Sequence, residues 1–220
     1  MDRRHRILIV DDDAMVRAGL RLMLRSATDI EVVAEATDGD EVVAAVQAHH
    51  PDVVLMDLRM SRMDGIAATR AVLALPSPPH VISLTTWDVS EAVLRSIDAG
   101  AAGFLLKTGS PEEIMRAVRA VVAGDAVLSP RSTRQVLDQL TTDGGAARAY
   151  ARDLMSALTE RERDVTVGVA RGLSNAEVAH QLYVSEATVK SHLASAQAKL
   201  DVRNRVGVAV LAERAGLLAD

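Results

Sequence analysis

The sequence predicts a doubly wound α/β domain built on a parallel sheet, followed by a smaller all-α domain. Three observations carry this reading. Short apolar runs alternate with segments of helical period through the first half of the chain. The alternation stops near residue 125, and beyond residue 153 the spacing is helical throughout, with repeated N-terminal capping signals.

The apolar runs are RILIV (6–10), EVVAEA (31–36), DVVLM (52–56), HVISLT (80–85) and GFLL (103–106). Four consecutive apolar residues, as in VVLM, suit a strand buried on both faces. Between the runs, residues 14–25, 40–49, 65–75, 90–99 and 111–123 repeat apolar side chains at helical spacing. Five β-then-α units in succession require a five-stranded parallel sheet with helices on both faces. The last of these helices has a clear start, with Ser110 as N-cap, Pro111 at the first position and Glu113 completing a capping box.

TTDGG (141–145) is the clearest flexible point, and a short helix is expected before it at about 131–140. The reading is therefore a first domain at 1–125, a linker at 126–152 and a second domain at 153–220. In the second domain Thr159/Glu162 and Ser174/Glu177 form two capping boxes, and Ser185 is a third N-cap candidate. Gly172 stands where a helix would end on a left-handed residue. Four helices follow, starting near 160, 175 and 186, with the fourth near 203–215. The middle two are joined by the short YVS, a helix-turn-helix spacing.

A chain of 220 residues is long enough for two domains. Aromatic residues make up only 2%, so the cores must be built from Ala, Val, Leu, Ile and Met. The absence of cysteine excludes a disulfide framework, a thiolate metal site and a cysteine nucleophile. MDRRHRILIV reads as neither a signal peptide nor a membrane span, and no segment reaches about 18 apolar residues, so a cytoplasmic location without membrane partners is expected. Charge is uneven. Residues 1–125 carry 13 Lys/Arg against 19 Asp/Glu, a net −6, whereas residues 152–220 carry 9 of each. Two domains with different partners are the natural reading.

In an open parallel sheet, functional groups gather outside the carboxyl ends of the strands. The sequence places there Asp11, Asp12 and Asp13 after ILIV, Asp57 after VVLM, Thr85 and Thr86 after VISL, and Lys107 after GFLL. Several carboxylates within a few ångströms repel one another, and a divalent cation relieves the repulsion. Oxygen ligands in an incomplete shell suit Mg²⁺, which keeps waters and accepts a phosphate. Beside such an ion Asp57 becomes a nucleophile toward a phosphoryl group, with Lys107 and a Thr hydroxyl stabilising the transferring oxygens.

On ILIVDDD, DVVLMDLRM with the following MDG, LTT and GFLLKT, residues 5–123 resemble the receiver domain of two-component response regulators. Residues 154–215 resemble the LuxR-type DNA-binding domain, and the pair is the arrangement of the NarL/FixJ subfamily. The resemblance implies a flavodoxin-like receiver phosphorylated by a sensor histidine kinase, a transcription regulator rather than an enzyme. It implies Asp57 as phosphoacceptor, Asp12 and Asp57 as metal ligands, Asp11 acting through a bound water, and the Arg59 backbone carbonyl as a further ligand. Thr85 becomes the switch hydroxyl, Lys107 the phosphate partner, and Phe104 the aromatic that turns inward as Thr85 moves. Two positions depart from the pattern. Ser61 stands where proline is usual, and Asp13 where histidine is common. His49 and His50, at a helix end, are read as complementing the helix dipole rather than as metal ligands.

SEATVKSHLASAQAKL (185–200) is the candidate recognition helix, whose N-terminal part would enter the major groove of double-stranded DNA. By resemblance Lys190 and Ser191 face bases or phosphates, with Thr188, His192 and Lys199 nearby. A domain without net positive charge should bind weakly as one copy, so a homodimer on adjacent half-sites is expected after phosphorylation. Two alternatives compete. One is an aspartyl-phosphate phosphohydrolase, whose DxDx(T/V) signature residues 11–15 nearly imitate until Met15 breaks it. The other is a DNA-binding regulator that works without phosphorylation.

Overall fold

The structure is a computed structural model that describes residues 4–86, 90–125, 127–128 and 145–218. The chain divides into two compact units. Among the described residues, the first holds 4–123 with 127–128, and the second holds 124–125 with 145–218.

The first unit is the parallel α/β architecture expected. Its strands are β1 (His5–Val10), β2 (Ile30–Ala36), β3 (Val53–Asp57), β4 (His80–Thr85), β5 (Gly103–Leu106) and β6 (Val127–Leu128). All pair in parallel, in the order β2-β1-β3-β4-β5-β6. The sequence reading has five strands. The sixth is two residues long, too short to carry a periodic signal, and it pairs Gly103 with Val127 and Phe104 with Leu128. The helices are α1 (Ala14–Leu24), α2 (Val42–His49), α3 (Gly65–Leu73), α4 (Ser90–Ala99) and α5 (Pro111–Ala123), with a 3₁₀ turn at Gly39–Glu41.

Strand alternation divides the core into two layers. Ile7, Ile9, Val53, Leu55, Ile82 and Leu84 pack with Leu20 and Leu24 of α1 and Ile114, Val118 and Val121 of α5. Leu8, Val10, Val54, Met56 and Val81 point the other way, against Val42 and Val46 of α2 and Ala68 and Val72 of α3. Every residue of β3 is buried. Each such aliphatic side chain contributes about 1.5–3 kcal/mol relative to exposure. The chain leaves β1 for β2 on one side and returns to β3 on the other. Strand order therefore reverses between β1 and β3, where ligand sites form in this architecture.

The second unit contains α6 (Gly145–Ser156), α7 (Glu160–Ala170), α8 (Asn175–Leu182), α9 (Glu186–Lys199) and α10 (Arg205–Ala215). Both capping boxes form as the sequence suggests. Gly172 has φ +81°, the left-handed position in which glycine carries no Cβ penalty. Helix α6 is the departure from the four helices expected. It occupies the end of the segment read as linker and buries Ala151 and Met155 against Val165, Val189 and Val208. The short helix expected at 131–140 lies outside the described residues. Gly124 and Asp125 pack with this unit, where Asp125 pairs with the buried Arg205.

Candidate functional site

The site stands at the carboxyl ends of β1, β3, β4 and β5. Asp57 is the last residue of β3 and Thr85 the last of β4, and both are buried. Asp11 follows β1 and is fully buried, and Lys107 follows β5. The Lys107 backbone N–H donates to the Thr85 carbonyl at 2.7 Å, which extends the β4–β5 ladder by one bond and fixes where the lysine leaves the sheet. Its ammonium Nζ lies 2.6 Å from Asp11 Oδ2 and 2.9 Å from Asp57 Oδ2. A carboxylate closing a buried strand is costly alone, and here it is paired.

The electrostatics follow from this geometry. Burial pushes the Asp57 carboxyl above the usual carboxylate range, the charge of Asp11 adds to the push, and Lys107 and the Arg59 backbone N–H oppose it. Burial works against the charge of Lys107. Hydrogen bonds and attraction from Asp11 and Asp57 outweigh it and hold the ammonium above the usual lysine value. Lys107 thus sets a cation beside the buried Asp57 carboxyl.

Asp11, Asp12 and Asp57 each offer one oxygen, all within 4.8 Å of one another. Asp11 Oδ2 is buried and, apart from its ionic contact with Lys107, receives no directed hydrogen bond. Asp12 is exposed, so the cluster opens to solvent on one side. Hard oxygen donors that repel one another and an open side fit a divalent cation of the Mg²⁺ type. Asp13 does not join the set. Its side chain accepts from Met15 N at 2.8 Å and caps α1, while its own N–H donates to Asp11 Oδ1 at 3.0 Å. Ser61 Oγ donates to Asp12 Oδ2 at 3.1 Å, giving this residue a contact on the acid cluster.

The glycine of MDG, Gly65, lies against the backbone of Asp57. A Cβ at this position would sit 1.9 Å from the Asp57 carbonyl oxygen, so no side chain is compatible with the present path of the backbone. Asp38 is a site residue that the sequence reading missed. Its buried carboxylate accepts from Gly39 N and Met63 N at 2.8 Å each and from Arg62 N at 2.9 Å. Burial alone would raise its pKa, but the three N–H groups lower it below the ordinary carboxylate value. Arg62 also pairs with Asp40 at 2.7 Å and with Glu41 at 2.6 Å. These bonds fasten the loop after β3, which carries Arg59 and Ser61. The acidic cluster in TDGDE (37–41) was the available signal, but Arg62 and Met63 lie more than 20 residues away.

Phe104 is 1% exposed and stands in the inward position in this conformation. Lys199, expected near the DNA, donates to Glu162 Oε2 at 2.6 Å, and Ser195 donates to Glu162 Oε1 at 2.6 Å. Those bonds, together with the Thr159 N–H, lower the Glu162 pKa to about 2. The other expected contacts lie in the first half of α9. Ser185 caps the helix by accepting from Thr188 N at 3.1 Å. Val189, Leu193 and Ala196 face the core, which leaves Lys190 and Ser191 exposed and Thr188 and His192 half-buried.

Comparison with known proteins defines the class. Residues 7–119 match the response regulator receiver domain, and residues 156–212 match the luxR family of bacterial regulatory proteins. The chain belongs to the response regulators of two-component systems, in their NarL/FixJ-type branch with a LuxR-type DNA-binding domain. It is 39% identical over 209 residues to the transcriptional regulatory protein LiaR of Bacillus subtilis, covering 95% of this chain and 97% of that one. With the nitrate/nitrite response regulator protein NarP of Escherichia coli it shares 40% identity over 205 residues, 93% of each chain. Among solved structures, the response regulator ChrA of a heme-sensing two-component system aligns at a TM-score of 0.54 with 36% identity, over 97% of this chain and 98% of that one. The family is one of DNA-binding transcription regulators rather than enzymes, which sets aside the phosphohydrolase alternative. Among the described residues no helix is long and apolar enough to cross a membrane.

Proposed function

We propose that Asp57 is the phosphoacceptor of a switch that controls DNA binding by α9. The observation that carries this reading is the Asp57 carboxylate, held 2.9 Å from Lys107 Nζ beside two further acids at an open rim. The phosphoryl donor is a phosphohistidine of a sensor histidine kinase. An Asp57 oxygen bonds to phosphorus as the P–N bond breaks and the imidazole leaves. Asp12, Asp57 and the Arg59 carbonyl hold Mg²⁺, with Asp11 acting through a water, and the ion supplies charge neutralisation for the phosphoryl oxygens. Lys107 pairs with those oxygens and Thr85 offers them its hydroxyl. Thr85 and Phe104 pass the change to the β4–β5 side of the sheet.

Lys190 and Ser191, with Thr188 and His192, read or clamp the major groove from the first half of α9. Lys199 joins them only if it leaves Glu162. With 9 Lys/Arg against 9 Asp/Glu in residues 152–220, one copy gains little from phosphate neutralisation. A phosphorylated homodimer on paired half-sites gains through effective concentration. The DNA partner implies the cytoplasm. The test is to incubate the full chain with Mg²⁺ and a small acyl phosphate and to map the modified residue by mass spectrometry. Phosphate is expected on Asp57, none on the Asp57→Asn protein and little on Asp12→Ala. Phosphate on another residue at parental yield overturns the assignment.

A further inference from the structure

Three non-glycine residues among those described have left-handed backbone, and two of them explain themselves. Asp201, at φ 53°, is of a type whose short polar side chain tolerates this conformation. His50, at φ 44°, ends α2, and Arg6 holds it there by donating from Nε to the His50 carbonyl at 3.3 Å. Tyr183 has φ 56°, ends α8 and is 95% exposed. A bulky residue in this region is strained by about 1–2 kcal/mol, and glycine or asparagine would fill the position at less cost. The left-handed turn closes α8, with the Val184 N–H donating to the Ala179 carbonyl at 3.0 Å. That cap uses backbone atoms alone and the ring lies in solvent, so neither gives a reason for tyrosine here. An outlier of this kind points to a function outside the folded unit.

The position of Tyr183 identifies the partner. It sits in the turn between the two helices of the helix-turn-helix, two residues before Ser185, the N-cap of α9. When such a motif docks, the second helix enters the major groove and the first crosses the backbone, so the turn between them runs along the groove edge beside the phosphates. We infer that Tyr183 is a DNA-backbone contact, its phenol O–H donating to a phosphate oxygen at the edge of the groove that α9 occupies. This rests on the reading of α9 as the recognition helix. The contact is uncharged. It therefore positions the motif without releasing counterions and without reading sequence.

The test uses the full chain and a duplex that it selects from a random-sequence pool. Tyr183→Phe keeps the ring and the backbone constraint but removes the donor, and it should weaken binding about 5- to 10-fold. The slope of log K against log salt should not change, in contrast to Lys190→Ala, which should flatten it. Tyr183→Gly should weaken binding at least as much, while its unfolding midpoint stays at or above that of the parent, since the backbone strain is gone. Parental affinity in both variants, with the parent binding its duplex, overturns the inference and leaves the recognition helix intact. A lowered midpoint in Tyr183→Gly assigns the ring to stability and overturns it too. Failure of the parent to select any duplex overturns the recognition-helix reading itself, and this inference with it.

Discussion

Replacing Asp38 by alanine tests whether the loop after β3 is held by one buried carboxylate. The substitution removes the acceptor of three backbone N–H groups at 2.8, 2.8 and 2.9 Å and leaves them facing a cavity. A hydrogen bond to a charged group contributes about 1.5–3 kcal/mol, and these three share one acceptor and are not additive, so a loss of about 3–4 kcal/mol is expected. Asp38→Asn keeps the shape but not the charge and should lose about 1–2 kcal/mol. The pH dependence has a definite sign. The folded-state pKa of Asp38 is below its ordinary value of 3.8, so its contribution is complete above that value and is lost as pH falls through the lowered one. Acid destabilisation of the first unit should thus be steeper in the parent than in Asp38→Asn. Calorimetry from neutral pH down to pH 3 measures both quantities, and phosphorylation of Asp57 should slow in parallel as the loop bearing Arg59 and Ser61 loosens. A change within about 0.5 kcal/mol for Asp38→Ala, the range of an ordinary surface substitution, refutes the reasoning.

Gly65→Ala forces its new methyl into the Asp57 carbonyl, so it should destabilise the first unit by about 1–3 kcal/mol and slow phosphorylation, read by calorimetry and phosphate incorporation. Glu162 has its pKa lowered from 4.5 to about 2, so its support for the second unit is full above pH 4.5 and fades toward pH 2; Glu162→Gln should flatten that acid limb in thermal unfolding. Lys190→Ala should cost roughly 1–3 kcal/mol of DNA binding with a sequence-dependent loss if the ammonium reads a base, or a uniform loss with a salt slope shallower by about one if it touches only phosphate. Gel shifts over several salt concentrations separate those two outcomes.

The parts legible in the sequence are those in which a local pattern decides the structure. Strands such as VVLM announce themselves because burial on both faces demands an unbroken apolar run, and β3 begins and ends within one residue of expectation. Capping boxes at Thr159 and Ser174 place two helix starts because the side chain and the N–H it satisfies are three residues apart. Strand ends then gather Asp11, Asp57, Thr85 and Lys107 through topology alone. What escaped depends on partners distant in the chain. Helix α6 has mostly Ala, Arg and Gly before its last turn, and only the burial of Ala151 and Met155 in the second core shows that it belongs there. Cutting the chain at residue 153 would remove part of that core. Asp38 looks like a turn acid until Arg62 and Met63 arrive beside it. Lys199 looks like a free cation until Glu162, 37 residues earlier, takes its charge.

The central claim is that phosphate on Asp57 governs the affinity of the α9 unit for DNA. The most direct measurement is the affinity of the full chain for its selected duplex, before and after treatment with Mg²⁺ and a small acyl phosphate, for the parent and for Asp57→Asn. Phosphate should tighten binding by the parent appreciably and leave Asp57→Asn unchanged, since a modification shifts an equilibrium only through its different affinity for the two states. Equal affinity of the parent with and without phosphate on Asp57, or the same gain in Asp57→Asn, would contradict the account.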